Sequence, residues 1–316
     1  MATQYPELDS RDIVAGFFPA FETALSDAYA PRLGMLIGSD SETENYKWPG
    51  SAPGMREWLG GRHEEVLAKF SQSIVNSKYE DTMRIELDDL RRDKTGFLRR
   101  RVAEMADAAA QHWDELLATH IETPGNSYDS QGFFDTDHDE SGTNQLNLLA
   151  AAQIPAANVT TVASPTADEA ADIITQTLGH FYTITDDRGR PINGGMRDVE
   201  IMVNGSAYWA VVSRAISSDR LASGASNVVP TLGINLSVTL NPRLTSTSDA
   251  FMYFFRVDGQ GGMRPFILQE EVPLQTQLKG AGSDFEFDND AHSFGLKSVR
   301  AVGNGRWQHA MRVTLS

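Results

Sequence analysis

The chain contains no cysteine, which excludes a disulfide framework, thiolate metal sites and a cysteine nucleophile, and fits a reducing compartment. Long apolar runs are missing too. Nowhere do 18 consecutive apolar residues occur, and the first 30 residues carry no basic region leading into an apolar stretch, so neither a membrane span nor a signal peptide is expected. Positive charge is scarce: 27 Lys and Arg stand against 43 Asp and Glu, a net charge of −16 across 316 residues. Broad phosphate binding depends on basic side chains that neutralise phosphates, so a classical nucleic-acid binder is disfavoured. A container is a different matter, since an acidic wall repels a packed polyanion without holding it. Solubility alone would account for the acidity equally well.

Catalytic signatures are absent as well. There is no GxSxG elbow, and the glycine clusters at 259–262 and 303–305 extend to neither GxGxxG nor a Walker loop, so they read as turns. The seven histidines, His63, His112, His120, His138, His180, His292 and His309, show no HxxxH or HExxH spacing. The run DTDHDESG opens like a calcium loop with Asp135, Asp137 and Asp139, then places Glu140 where the turn needs glycine and Leu146 where the closing carboxylate belongs. A solvated loop or a subunit contact is expected there. No cofactor or metal is expected, and an interaction protein is favoured over an enzyme. The rival is an acidic hydrolase whose site is scattered through the sequence.

What the chain does have is an unusual stretch at 46–62, YKWPGSAPGMREWLGGR, with two of its five tryptophans, Trp48 and Trp58, among prolines, glycines and charges. Pro49, Gly50, Pro53, Gly54, Gly60 and Gly61 oppose regular structure. Two large apolar rings there need cover, from their own domain or from another subunit. Arg56, Glu57 and Arg62 beside them would supply charged contacts across such a boundary.

Along the chain, Ile13, Phe17, Phe21 and Leu25 recur at spacing four, a helical pattern interrupted by Pro19. From Ser39 to Asp93 short alternating runs, clearest at Met83, Ile85 and Leu87, predict a long two-stranded excursion. An isolated hairpin is marginal in water, so it should rest on something outside itself. The strongest helix is predicted over Phe97–Ile121, with Thr95 as cap and Leu98, Val102, Met105, Ala109, Trp113, Leu116 and His120 on one stripe. At 1.5 Å per residue it spans roughly 37 Å. Arg99, Arg100 and Arg101 sit at its N-terminal end, where the dipole disfavours cations; they face solvent or an acidic partner. A second helix starts with a capping box formed by Thr166 and Glu169 and ends at Gly179. Strands follow at 199–203 and 208–212 around a hairpin-type Asn204–Gly205, then at 234–240, 251–257, 266–269 and 299–315, the last broken at Gly303–Gly305. The class is α+β.

Five blocks in order resemble the major head protein of Mu-like bacteriophages, the gpT family: the tryptophan stretch, KYEDTMRIELDDL at 78–90, YDSQGFFDTDH at 128–138, MRPFILQEEVPL at 263–274 and FGLKSVRAVGNGRWQHAMRVTL at 294–315. Between about 140 and 235 few residues match. The resemblance implies the Hong Kong 97-type tailed-phage capsid fold, with an N-terminal arm at 1–37, an extended loop at 38–93, a peripheral domain at 94–155 with the spine helix at 97–121, an axial domain at 156–233 and the C-terminal peripheral strands at 234–316. It implies hexamers and pentamers tiling an icosahedral shell around double-stranded DNA. Partners would be other copies of the chain, a scaffold and a portal, with room for a decoration protein, no membrane, and no sequence-specific DNA contact. Trp48, Arg56, Glu57, Trp58, Arg62, Arg99, Arg100 and Arg101 are then the candidates for inter-subunit contact. Another virion protein, such as a tail tube or decoration protein, is the alternative within that class.

Overall fold

The first helix, α1 (Ser10–Asp27), runs straight through Pro19. The computed structural model, which describes residues 10–49, 69–92, 96–140, 143–244 and 251–316, supplies the reason. Phe17 is fully buried against Phe294, ring centroids 5.7 Å apart. Ala15 and Pro19 are both exposed, where water can serve the carbonyl that loses its helical donor. A short helix α2 (Ala30–Leu33) leads into β1 (Gly34–Gly38). Next come β2 (Thr43–Pro49), β3 (Lys69–Val75), β4 (Ser77–Glu86) and a single helical turn α3 (Leu87–Arg92). The expected excursion is therefore shorter than the alternation suggested. β2 and β3 form a two-stranded antiparallel ribbon, whereas the Met83–Leu87 pattern belongs to β4 and the start of α3, and β4 pairs with a later strand.

The long helix α4 (Phe97–Glu122) is present as expected, entered through Gly96 at φ 68; Thr95 lies outside the described residues. Its buried line runs through Val102, Ala106, Ala110, Trp113, Leu117 and Ile121, partly shifted from the predicted stripe, with Ala109, Leu116 and His120 at its margin. This helix joins two cores. Val102, Met105 and Ala106 pack with Phe17, Ile85, Phe294 and Leu296, while Trp113, Leu117 and Ile121 belong to the large central cluster.

Three small strands follow, β5 (His138–Glu140), β6 (Thr143–Gln145) and β7 (Leu148–Leu149), then helix α5 (Ala167–Phe181). Both bonds of its capping box are made: Thr166 Oγ1 accepts from Glu169 N at 3.2 Å, and Glu169 Oε2 accepts from Thr166 N at 2.7 Å. Gly179 does not end it. After β8 (Asp198–Val203) the expected second hairpin strand is instead helix α6 (Ser206–Ser217), with Gly205 as its N-cap. Tyr208, Val212 and Ala215 are its buried residues, spaced four and three apart. That is the helical period, and five residues were too few to separate it from alternation.

The remaining strands are β9 (Asn235–Leu240), β10 (Phe251–Arg256), β11 (Phe266–Lys279), β12 (Ala291–Asn304) and β13 (Ala310–Thr314), with α7 (Asp284–Asn289) in the turn between β11 and β12. β11 is more than three times its predicted length. Pro273 lies inside it, and the register against β12 shifts on either side of Val272, where the missing donor is absorbed. Two sheets result. One has the order β1-β11-β12-β4; the other, β7-β13-β10-β8-β9, holds the densest core. In β10, Met252, Tyr253, Phe254 and Phe255 are all buried, so both faces are covered.

Candidate subunit interface

The β2–β3 ribbon is tied to the body at its root. Tyr46 Oη donates to Gln269 Oε1 at 2.8 Å, and Asn76 Nδ2 donates to Ser39 Oγ at 3.1 Å and to the Ser41 carbonyl at 2.9 Å. Ile74 packs where β12 has Gly303; a Cβ there would meet Ile74 Cδ1 at 2.2 Å, so the glycine sets how closely the ribbon seats. Toward its far end Trp48 pairs with Phe70, which places Trp48 in a strand although the stretch from 46 was expected to resist regular structure. That expectation weighed Pro49 and Gly50 too heavily, since Pro49 closes the strand and does not interrupt it. Arg56, Glu57, Trp58 and Arg62 lie outside the described residues.

Arg99, Arg100 and Arg101 are exposed on the first turn of α4, an element apart from the ribbon. Arg101 reaches Glu104 Oε2 at 2.9 Å and lies over the Phe97 ring at 5.1 Å, an exposed pair of small energetic value. Phe97 itself is 53 % exposed.

Two further apolar projections went unread in the sequence. Phe287 is 92 % exposed on α7, at the tip of the long β11–β12 hairpin. The tip is well braced: Ser283 Oγ accepts from Glu286 N at 3.2 Å, Glu286 accepts from Gly282 N at 2.5 Å, and Phe285 sits beneath Arg84 and Lys279. The Ser-x-x-Glu spacing at 283–286 was the available signal. Trp209 is exposed on α6 because it falls one residue, about 100°, from buried Tyr208. Reading that segment as a strand concealed it.

Where chemistry was considered, the structure builds supports. His138 is fully buried, stacked on Trp307 at 3.9 Å, 2.6 Å from Asp129 and 3.2 Å from Asn147 Oδ1. His120 contacts Asn304 Oδ1 at 2.7 Å, and burial pulls its pKa down, as it does for His180 and His309. The acidic run at 135–140 turns into the β5–β6 hairpin and is not an open loop: Asp135 accepts from Gly132 N and Thr136 N, and Asp137 accepts from Asn144. No group of three or more metal-ligating side chains occurs among the described residues, and no helix among them is long and apolar enough to cross a membrane.

Residues 11–163 match the family model of the Mu-like prophage major head subunit gpT. The "Mu-like prophage FluMu major head subunit" of Haemophilus influenzae is 31 % identical over 156 residues, 47 % of this chain and 50 % of that protein. The "Major capsid protein" of Escherichia phage Mu is 31 % identical over 122 residues, 37 % of this chain and 40 % of that protein. The matched part thus spans half or less of these relatives. Among solved structures, the capsid of cyanophage P-SCSP1u is 13 % identical with a TM-score of 0.59, covering 90 % of this chain and 86 % of that one. The blocks at 263–274 and 294–315 fall beyond the family match, and there the likeness is one of fold. The chain has the Hong Kong 97-type tailed-phage capsid fold, and over residues 11–163 it matches the Mu-like gpT major head subunit family.

Proposed function

We propose that this chain is a major capsid protein, not an enzyme, that self-assembles as hexamers and pentamers into the icosahedral head enclosing the double-stranded DNA of a tailed phage. The observation that carries this is the coincidence of two likenesses on one chain: the capsid fold over nine-tenths of its length and the head-subunit family over residues 11–163. The domain reading follows: arm 1–37, extended loop 38–93 with the β2–β3 ribbon inside it, peripheral domain 94–155 with α4 as spine, axial domain 156–233, and peripheral strands 234–316. Trp48, Arg56, Glu57, Trp58, Arg62 and Arg99–Arg101 are its proposed contacts with neighbouring copies. Assembly sums many modest interfaces into avidity, and a ribbon tied at its root can change angle as a shell expands. Scaffold, portal and decoration proteins are the remaining proposed partners, assembly takes place in the host cytoplasm, and DNA is enclosed without sequence-specific contacts.

Electron microscopy of the purified chain, expressed alone and with its scaffold and protease, tests this. Closed shells or capsomer rings are expected. Tubes would favour a tail protein, and dispersed monomers that turn over a small substrate would favour a hydrolase.

A further inference from the structure

A cavity of about 220 Å³ opens between α4 and the sheet face formed by β4, β12 and β11. It lies where the two apolar cores meet along α4. Its floor is Arg300, only 2 % exposed, whose guanidinium lies over the Trp113 ring at 4.8 Å and donates from Nε to Ser298 Oγ at 2.9 Å. Its other four N–H donors have no partner among the described residues. The cross-strand neighbour Glu270 is half-buried and its side chain makes no direct contact with the guanidinium, although its charge acts favourably on it. On the helix side, His112 faces Tyr79 at 4.4 Å and keeps a buried Nδ1 without a partner. A buried guanidinium with open donors is costly unless an anion or ordered water completes it.

We propose that this cavity receives a carboxylate side chain from a second copy of this chain, with Arg300 as the group that holds it. The inference rests on the self-assembly reading. The free edge of a guanidinium matches the two oxygens of a carboxylate. The walls formed by Ala108, Ala109, Leu274 and Leu296 suit the aliphatic stem that carries it. Glu80, Asp81 and Glu115 also line the cavity and would repel a polyanion such as a nucleic-acid backbone, while Lys297 in the same lining adds to the pull of Arg300 on a single carboxylate. With 43 acidic residues per chain, a neighbouring copy is well supplied with the required group. Burial loosens the hold of Arg300 on its proton, Glu270 and Tyr79 offset this in part, and such a partner would relieve the remainder.

Cryo-electron microscopy of shells assembled from the full chain should show an Asp or Glu of a neighbouring copy in the cavity, within hydrogen-bond distance of Arg300. A cavity holding only water, or closed by the subunit's own Glu270, overturns the proposal. Arg300→Lys keeps the charge and removes the fork, and Ala108→Phe blocks the entrance from the exposed side of α4, so the second remains informative if the first fails to fold. Subunits that melt like wild type but form shells that dissociate at lower urea are expected; wild-type shell stability in a folded variant overturns the idea. Absence of wild-type shells would mean that the capsid reading has failed, and titration of the dispersed subunit with glutarate then decides. No binding overturns the pocket, while binding that Arg300→Lys weakens about tenfold assigns the site to a free carboxylate and overturns the second-copy assignment.

Discussion

The strands β10 and β4 are both well paired, yet they live in opposite surroundings. In β10 every residue from Met252 to Arg256 is buried, flanked by β8 and β13 and covered on both faces. In β4, Ile85 is the one buried residue of ten, and β12 is its sole strand partner among the described residues. The first region is enclosed by its own chain. The second, with most of its residues exposed or half-buried, offers more surface than core, which suits the proposed contacts with neighbouring copies.

The largest effect should come from breaking the self-sufficient side. Phe254→Ala empties a fully buried site in the central strand and should cost about 3–5 kcal/mol, read as a lower urea midpoint of the dispersed subunit. An effect below about 1 kcal/mol would mean that this sheet is not the subunit's core. Trp58→Ala probes the other side and should do the reverse: assembly weakens by about 2 kcal/mol or more per contact while subunit melting stays put. A collapsed melting temperature would place Trp58 in its own subunit's core.

Gly303→Ala tests the seam between the two. Its new Cβ displaces Ile74, and because that side chain can give, the cost should be about 1–2 kcal/mol. The ribbon should loosen more than the body does, so limited proteolysis should cut faster within residues 39–76; unchanged cleavage would show that Ile74 does not seat it. Thr166→Ala removes one bond of the capping box and should cost about 1 kcal/mol, again as a urea midpoint shift.

What could be read in the sequence follows the same divide. The long helix, the capping box of α5 and the strands β8, β9 and β10 were legible because local pattern and burial agree there. The misreadings came where five or six residues had to decide, as at Tyr208–Val212, or where one residue argued against its neighbours, as Pro19 did in α1. The pairing of β4 with β12 joins residues more than 200 positions apart, and no local pattern carries that. The candidate contacts were proposed from residue type alone, arginines at a helix start and tryptophans in a broken stretch, whereas Phe287 needs the hairpin tip, and Arg300 needs three strands and a helix around it.

The smallest effect on the subunit is expected at the opening of α4, and there the comparison becomes sharpest. Arg99 and Arg100 are exposed and sit at the helix end where the dipole disfavours cations. Replacing both with Gln should leave subunit stability unchanged or raise it by a few tenths of a kcal/mol. A residue kept for the fold would behave the other way. If these side chains instead meet an acidic surface on a neighbouring copy, their removal should slow assembly and flatten its dependence on salt, because rim charges act on encounter and register more than on final affinity. Light scattering of assembly across a salt series, run beside urea melts of the same proteins, reads both quantities. Equal salt dependence in variant and wild type would return Arg99 and Arg100 to the solvent and leave the ribbon to carry the contacts.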